Sequence, residues 1–95
     1  MGNYKLTQDA QADLIRIHQH GVRVHGEAQA DDYYFAFFAR FEQIAEQPFL
    51  YQSCDNIRKG YRKSICGVDT IYFRVEGDTV KIMNILGRQD RDKWL

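Results

Sequence analysis

Arg58, Lys59, Arg62 and Lys63 fall within six positions, around Gly60 and Tyr61. Guanidinium and ammonium groups at that density can hold carboxylate or phosphate, arginine through paired N–H donors. Such groups also stabilise the phosphorane formed in RNA cleavage, but that reaction further wants a general base and a general acid. The second half of the chain has no histidine, since His18, His20 and His25 all precede it. Tyr61 and Tyr72 are weak substitutes and are more simply explained as structural. Metal chemistry is no better served. On a helix His18 and His20 lie about 200° apart, and no cysteine or carboxylate constellation completes a site around His18 and His25. Cys54 and Cys66 form no C-x-x-C pair. There is no glycine-rich phosphate loop, no G-x-S-x-G and no H-E-x-x-H. The expectation is a binding protein with neither cofactor nor metal.

The chain has 95 residues, 44% of them hydrophobic and 14% aromatic, which suits one small folded domain spanning 1–95. Thirteen basic residues balance thirteen acidic ones, which argues against a general nucleic-acid coat protein. The balance hides an asymmetry. Residues 1–50 hold four Lys/Arg against seven Asp/Glu, and residues 51–95 hold nine against six. The second half is therefore the seat expected for an acidic partner. No secretory leader precedes Tyr4-Lys5-Leu6, and no run approaches the roughly 18 apolar residues of a membrane span. A cytoplasmic protein with reduced thiols is expected, although a Cys54–Cys66 disulfide is geometrically conceivable.

Two helices must stand behind the basic half. After a short strand at 3–6, Thr7 offers an N-cap. Ala10, Leu14, Ile17, His18, Gly21 and Val22 then recur at helical spacing over about 8–24, with a kink or fraying at Gly21 and a reversal at His25-Gly26. Ala30, Tyr34, Phe37, Phe38, Phe41, Ile44 and Ala45 form the stripe of a second helix over 27–46, stopped by Pro48. Phe35 lies about 130° from the centre of that stripe. It is either a lone exposed aromatic or a protein contact.

A loop over 49–55 leads to strands at about 56–59, 61–66, 70–76 and 79–86. Gly77-Asp78 is a two-residue hairpin turn. It sets Val75 opposite Val80, Arg74 opposite Lys81, Phe73 opposite Ile82 and Tyr72 opposite Met83. A three-residue turn at 67–69 would set Ile65 opposite Ile71 and Arg62 opposite Arg74. One sheet face then packs on the helices through Ile65, Ile71, Phe73, Val75, Val80 and Ile82. The other carries Arg62, Arg74 and Lys81 side by side, with Tyr72, Met83 and Ile85. Like charges across a ladder repel, so this row either pairs with Glu76 or Asp78 or receives an acidic, partly apolar partner. The expected fold is α+β: a short N-terminal strand and an antiparallel helix hairpin packed on a small, mostly antiparallel sheet.

The order of these elements is matched by particular residues. They are Tyr4-x-Leu6-Thr7, Ala10-x-Ala12-Asp13-Leu14-x-x-Ile17, Gly26-x-x-Gln29-Ala30-x-x-Tyr33 and Ile44-Ala45-x-x-Pro48. Then follow Ile57-Arg58-x-Gly60-Tyr61-Arg62, Ile71-Tyr72-Phe73-Arg74-Val75 and Ile82-x-x-Ile85-Leu86-Gly87-Arg88-Gln89-Asp90. In this order the chain resembles the RelE/ParE toxin superfamily, and within it the ParE branch. Gly87 stands where many ParE sequences have a histidine, and His25 where an aromatic residue usually precedes the reversal glycine.

The resemblance implies the toxin of a type II toxin–antitoxin pair. Such a toxin inhibits DNA gyrase, blocks replication and is neutralised by a ParD-like antitoxin in a hetero-oligomer. The alternative is a RelE-like, ribosome-dependent mRNA endoribonuclease, with Arg58, Arg62 and Arg74 gripping phosphate. RelE-type members also use a C-terminal tyrosine or histidine, and neither occurs after Tyr72. The residues expected to meet antitoxin or gyrase are Phe35, Arg58, Arg62, Tyr72, Arg74, Lys81, Met83, Arg88 and Trp94. Sequence-specific nucleic-acid binding by the toxin alone is not expected.

Overall fold

The computed structural model describes residues 2–87. Strand β1 (Asn3–Leu6) leads into helices α1 (Gln8–His25) and α2 (Glu27–Glu46). A single 3-10 turn at Pro48–Leu50 follows, then β2 (Gln52–Ser53), β3 (Tyr61–Cys66), β4 (Asp69–Glu76) and β5 (Thr79–Gly87). The sheet order is β1-β5-β4-β3-β2, with β1 parallel to β5 and every other pair antiparallel. This is the α+β arrangement expected. The strand expected at 56–59 is absent: residues 54–60 form turns, and the short edge strand lies earlier, at 52–53.

Thr7 ties the first turn of α1 to the sheet. Its hydroxyl accepts from the Ala10 N–H at 3.0 Å and donates to the Met83 carbonyl at 2.9 Å. One turn further on, Asp13 accepts from the Ile85 N–H at 2.9 Å, and Arg16 donates to the Ile85 carbonyl at 3.1 Å. Two α1 side chains thus continue the ladder on β5 after β1 ends at Leu6. Contrary to expectation, α1 runs unbroken through Gly21. There the missing Cβ admits Ala30 of α2, which would stand 3.2 Å from it. A single residue, Gly26 at φ 91° and ψ 163°, reverses the chain. That backbone region is open to essentially only glycine.

Phe37, Phe41, Ile44 and Ala45 bury the α2 stripe against Leu14 and Ile17 of α1 and against Ile71, Phe73, Val80, Ile82 and Ile85 of the sheet. Two parity changes separate the observed sheet from the expected one. The β3–β4 turn is the two-residue Gly67-Val68, so Cys66 faces Asp69, Ile65 faces Thr70 and Arg62 faces Phe73. Ile65 therefore turns away from the helices and is 65% exposed, while Arg62 turns towards them. In β5 the register shifts between Tyr72 and Phe73: Phe73 pairs with Ile82 but Tyr72 with Asn84, leaving Met83 as a bulge. The bulge resets the alternation and turns Ile85 into the helix-side core rather than beside Lys81.

Burial raises the pKa of the Asp13 carboxyl, a shift that the Ile85 N–H bond and Arg16 do not cancel. The folded protein then binds more protons than the unfolded one between the ordinary value and the raised one. Stability should therefore fall as pH rises through that window and level off above it. In Asp13→Asn the slope should vanish, while the amide oxygen still accepts from Ile85. Asp13→Ala should cost about 1–3 kcal/mol at neutral pH, because the Ile85 N–H loses its acceptor. Thermal unfolding across the acidic range checks both.

Candidate partner-binding surface

The sheet face turned away from the helices is set by the pairing register. From the strands it carries four cations, Lys5, Lys63, Arg74 and Lys81, and one carboxylate, Glu76. Lys5 stands beside Lys81, and Lys81 beside Arg74. A basic row does cross the sheet, but its third member is Lys5, not Arg62. Arg74 donates from Nε to Glu76 Oε2 at 2.6 Å and also from its terminal nitrogen, and Lys81 Nζ lies 3.9 Å from the same oxygen. The Arg74 hydrogen bond, with the charges of Arg74, Lys81 and Lys5, holds the Glu76 carboxyl below its usual range.

Beside the row lies a small second core of Cys54, Tyr61, Tyr72 and Leu86, with Met83 packed against it. Tyr72 is completely buried, so it supports this face rather than presenting itself to a partner. Turn 54–60 folds back on the start of β3. The Cys54 N–H donates to the Tyr61 carbonyl at 2.8 Å, and Asp55 accepts from the Gly60 N–H at 2.7 Å. Arg58 is thereby set over the Tyr61 ring, 5.9 Å from its centroid. Burial raises both thiols, Cys54 in this cluster and Cys66 in the helix-side core, which leaves them unreactive.

Arg62 lies on the other side of the sheet. It donates to the Tyr51 carbonyl at 2.8 Å and stacks over Phe49 at 5.0 Å, clamping the 3-10 turn onto β3. Phe35 is 65% exposed on α2 and meets Tyr34 edge-on at 5.6 Å between centroids. At the β3–β4 hairpin Val68 is 85% exposed beside Ile65. Arg40 of α2 covers part of the outer edge of β3, donating to Ser64 at 2.8 Å and to the Ile65 carbonyl at 2.6 Å. Arg88 and Trp94 lie outside the described residues.

Sequence reasoning thus brought Arg74 and Lys81 together correctly with Tyr72 on the same face, misplaced Arg62 and Ile85, and missed Lys5. Nothing local in Tyr4-Lys5-Leu6 announces a parallel partner more than seventy residues away. Among the described residues no three of His, Cys, Asp and Glu group as metal ligands, and no helix is long and apolar enough to cross a membrane.

The family model described as ParE toxin of type II toxin–antitoxin system, parDE, matches residues 4–91. The chain belongs to the ParE toxin family. The Toxin ParE1 of Caulobacter vibrioides is 37% identical over 86 residues, covering 90% of this chain and 88% of the relative. The Toxin ParE1 of Mycobacterium tuberculosis is 34% identical over 94 residues, covering 97% and 96%. A solved structure titled as the chromosomal ParDE toxin–antitoxin system from P. aeruginosa superposes with a TM-score of 0.81. At 22% identity, over 92% of this chain and 96% of that one, it shows the shared ParE fold.

Proposed function

We propose that this ParE toxin inhibits DNA gyrase, stabilising its cleaved-DNA state and so blocking replication, and that a ParD-like antitoxin neutralises it in the cytoplasm. The family match over residues 4–91 carries the reading. Surface chemistry supports a protein that acts by binding. Large apolar side chains stand exposed, among them Phe49 and Leu50 in the 3-10 turn, Ile65 and Val68 at the β3–β4 hairpin, and Phe35 on α2. Contiguous exposed apolar groups mark protein contacts. The partly open outer edge of β3 can also receive an extended antitoxin segment as an added strand.

The endoribonuclease alternative is less supported, because the trio expected to grip phosphate is split, Arg62 lying across the sheet from Arg58 and Arg74. All three histidines sit on α1, away from the basic face. Added to gyrase, ATP and relaxed plasmid, the purified toxin should abolish supercoiling and accumulate protein-linked cleaved DNA. Full supercoiling at a large excess of folded toxin overturns the gyrase reading. Translating ribosomes with mRNA provide the parallel test, with intact message expected.

A further inference from the structure

We infer that the row Lys5–Lys81–Arg74 is a docking surface for an acidic protein segment, and that Glu76 occupies it as a built-in competitor which the segment displaces. The first ground is the cost of the row. Three cations occupy adjacent positions on three neighbouring strands, Lys5 beside Lys81 and Lys81 beside Arg74. Like charges placed so are unfavourable, and a sheet surface with no partner gains nothing from them. Lys63 adds a fourth cation to the same face. Against these the strands supply only Glu76.

The second ground is that the recognition chemistry is already visible. The Glu76 carboxylate is held by two nitrogens of Arg74 and approached by Lys81 Nζ at 3.9 Å. All three nitrogens converge on the one oxygen Oε2, a charge-assisted contact of the kind that an incoming carboxylate would make. Glu76 is exposed and lies next to the Gly77-Asp78 turn, so its side chain can swing away without disturbing the core. Lys5 has no carboxylate within salt-bridge distance among the described ion pairs.

The third ground is dimensional. Neighbouring strands lie about 4.8 Å apart, so the row spans roughly 10 Å. Carboxylates four apart on a helix, or two apart on an extended segment, are separated by about 6–7 Å. One short segment can therefore place two carboxylates along the row. A polynucleotide fits less well, since its affinity grows with the number of phosphates neutralised. Here a long strand would soon meet Glu76 and Asp78, in a chain of zero formal charge. Half-buried Met83, bulged next to Lys81 in β5, gives the segment an apolar neighbour.

The test is fluorescence anisotropy at low salt with a labelled dodecapeptide of alternating glutamate and alanine, and with a labelled dodecathymidine for comparison. Neither gyrase nor antitoxin enters the measurement, so a negative supercoiling assay leaves this surface untouched. The peptide should bind the full chain, and Lys81→Glu should weaken it about tenfold, the loss of one charge-assisted contact. Glu76→Gln should instead tighten it by about threefold, because the internal competitor is gone. Circular dichroism establishes that both exposed-site variants are folded. An absence of peptide binding, an affinity unchanged in either variant, or equal or tighter binding of the oligonucleotide overturns the proposal.

Discussion

Phe41→Ala should lower the stability of this protein by about 3–5 kcal/mol. Phe41 is fully buried. Its ring meets Phe38 edge-on at 5.4 Å and Tyr4 at 5.5 Å, and lies 6.4 Å from Phe37. It therefore joins the N-terminal strand to α2. Two losses add: the transfer free energy of the ring and the contacts forfeited around the cavity. A domain of this size has about 5–14 kcal/mol in total. The melting temperature should fall by about 15–30 °C. Phe41→Leu keeps most of the buried volume and should cost about 1–2 kcal/mol. Urea unfolding of the three proteins checks the order. Equal stabilities for wild type and Phe41→Ala would mean that the aromatic cluster does not hold the hairpin on the sheet.

Gly67→Ala should cost about 2–5 kcal/mol, through two separable causes. Gly67 holds φ at 62° in the β3–β4 turn, where a Cβ is disfavoured. An added Cβ would also stand 2.6 Å from Cε1 and 2.7 Å from the hydroxyl of Tyr33. Tyr33 cannot easily withdraw. Its hydroxyl lies 2.7 Å from the Cys66 carbonyl and 2.8 Å from Asp69 Oδ2, and its ring packs on Phe37 at 4.8 Å. Burial first, and then Asp69, push its phenol pKa up, so it stays a donor throughout the working range. In a Tyr33→Ala background the steric part disappears, and Gly67→Ala should cost only about 1–2 kcal/mol for the backbone. A double-mutant cycle in urea separates the two parts. Additive losses would show that the ring and the turn are not in conflict.

Both substitutions bear on how the binding faces are held. Phe41 fixes the helix hairpin on one side of the sheet, and Tyr33 and Gly67 fix the turn whose length decides which way Arg62 and Ile65 point. A loosened β3–β4 turn therefore changes the surface offered to a partner as well as the stability.

What the sequence determined by itself was local. The 3.6-residue period of the α2 stripe, the Thr7 cap, the stop at Pro48 and the Gly77-Asp78 turn each depend on residues a few positions apart. The helices, the β4–β5 register near that turn and the meeting of Arg74 with Lys81 were accordingly legible. So was the family, because its motifs run in order along the chain. The tertiary structure decided which side of the sheet each residue faces. Strand alternation has period two, so one residue more or less in a turn, or one bulge, reverses everything beyond it. The two-residue Gly67-Val68 turn sent Arg62 to the helix side, and the bulge at Met83 buried Ile85. Lys5 reached the basic row only because β1 lies parallel to β5. Parallel pairing between the two ends of the domain depends on how the helices pack, and no local residue pattern encodes it.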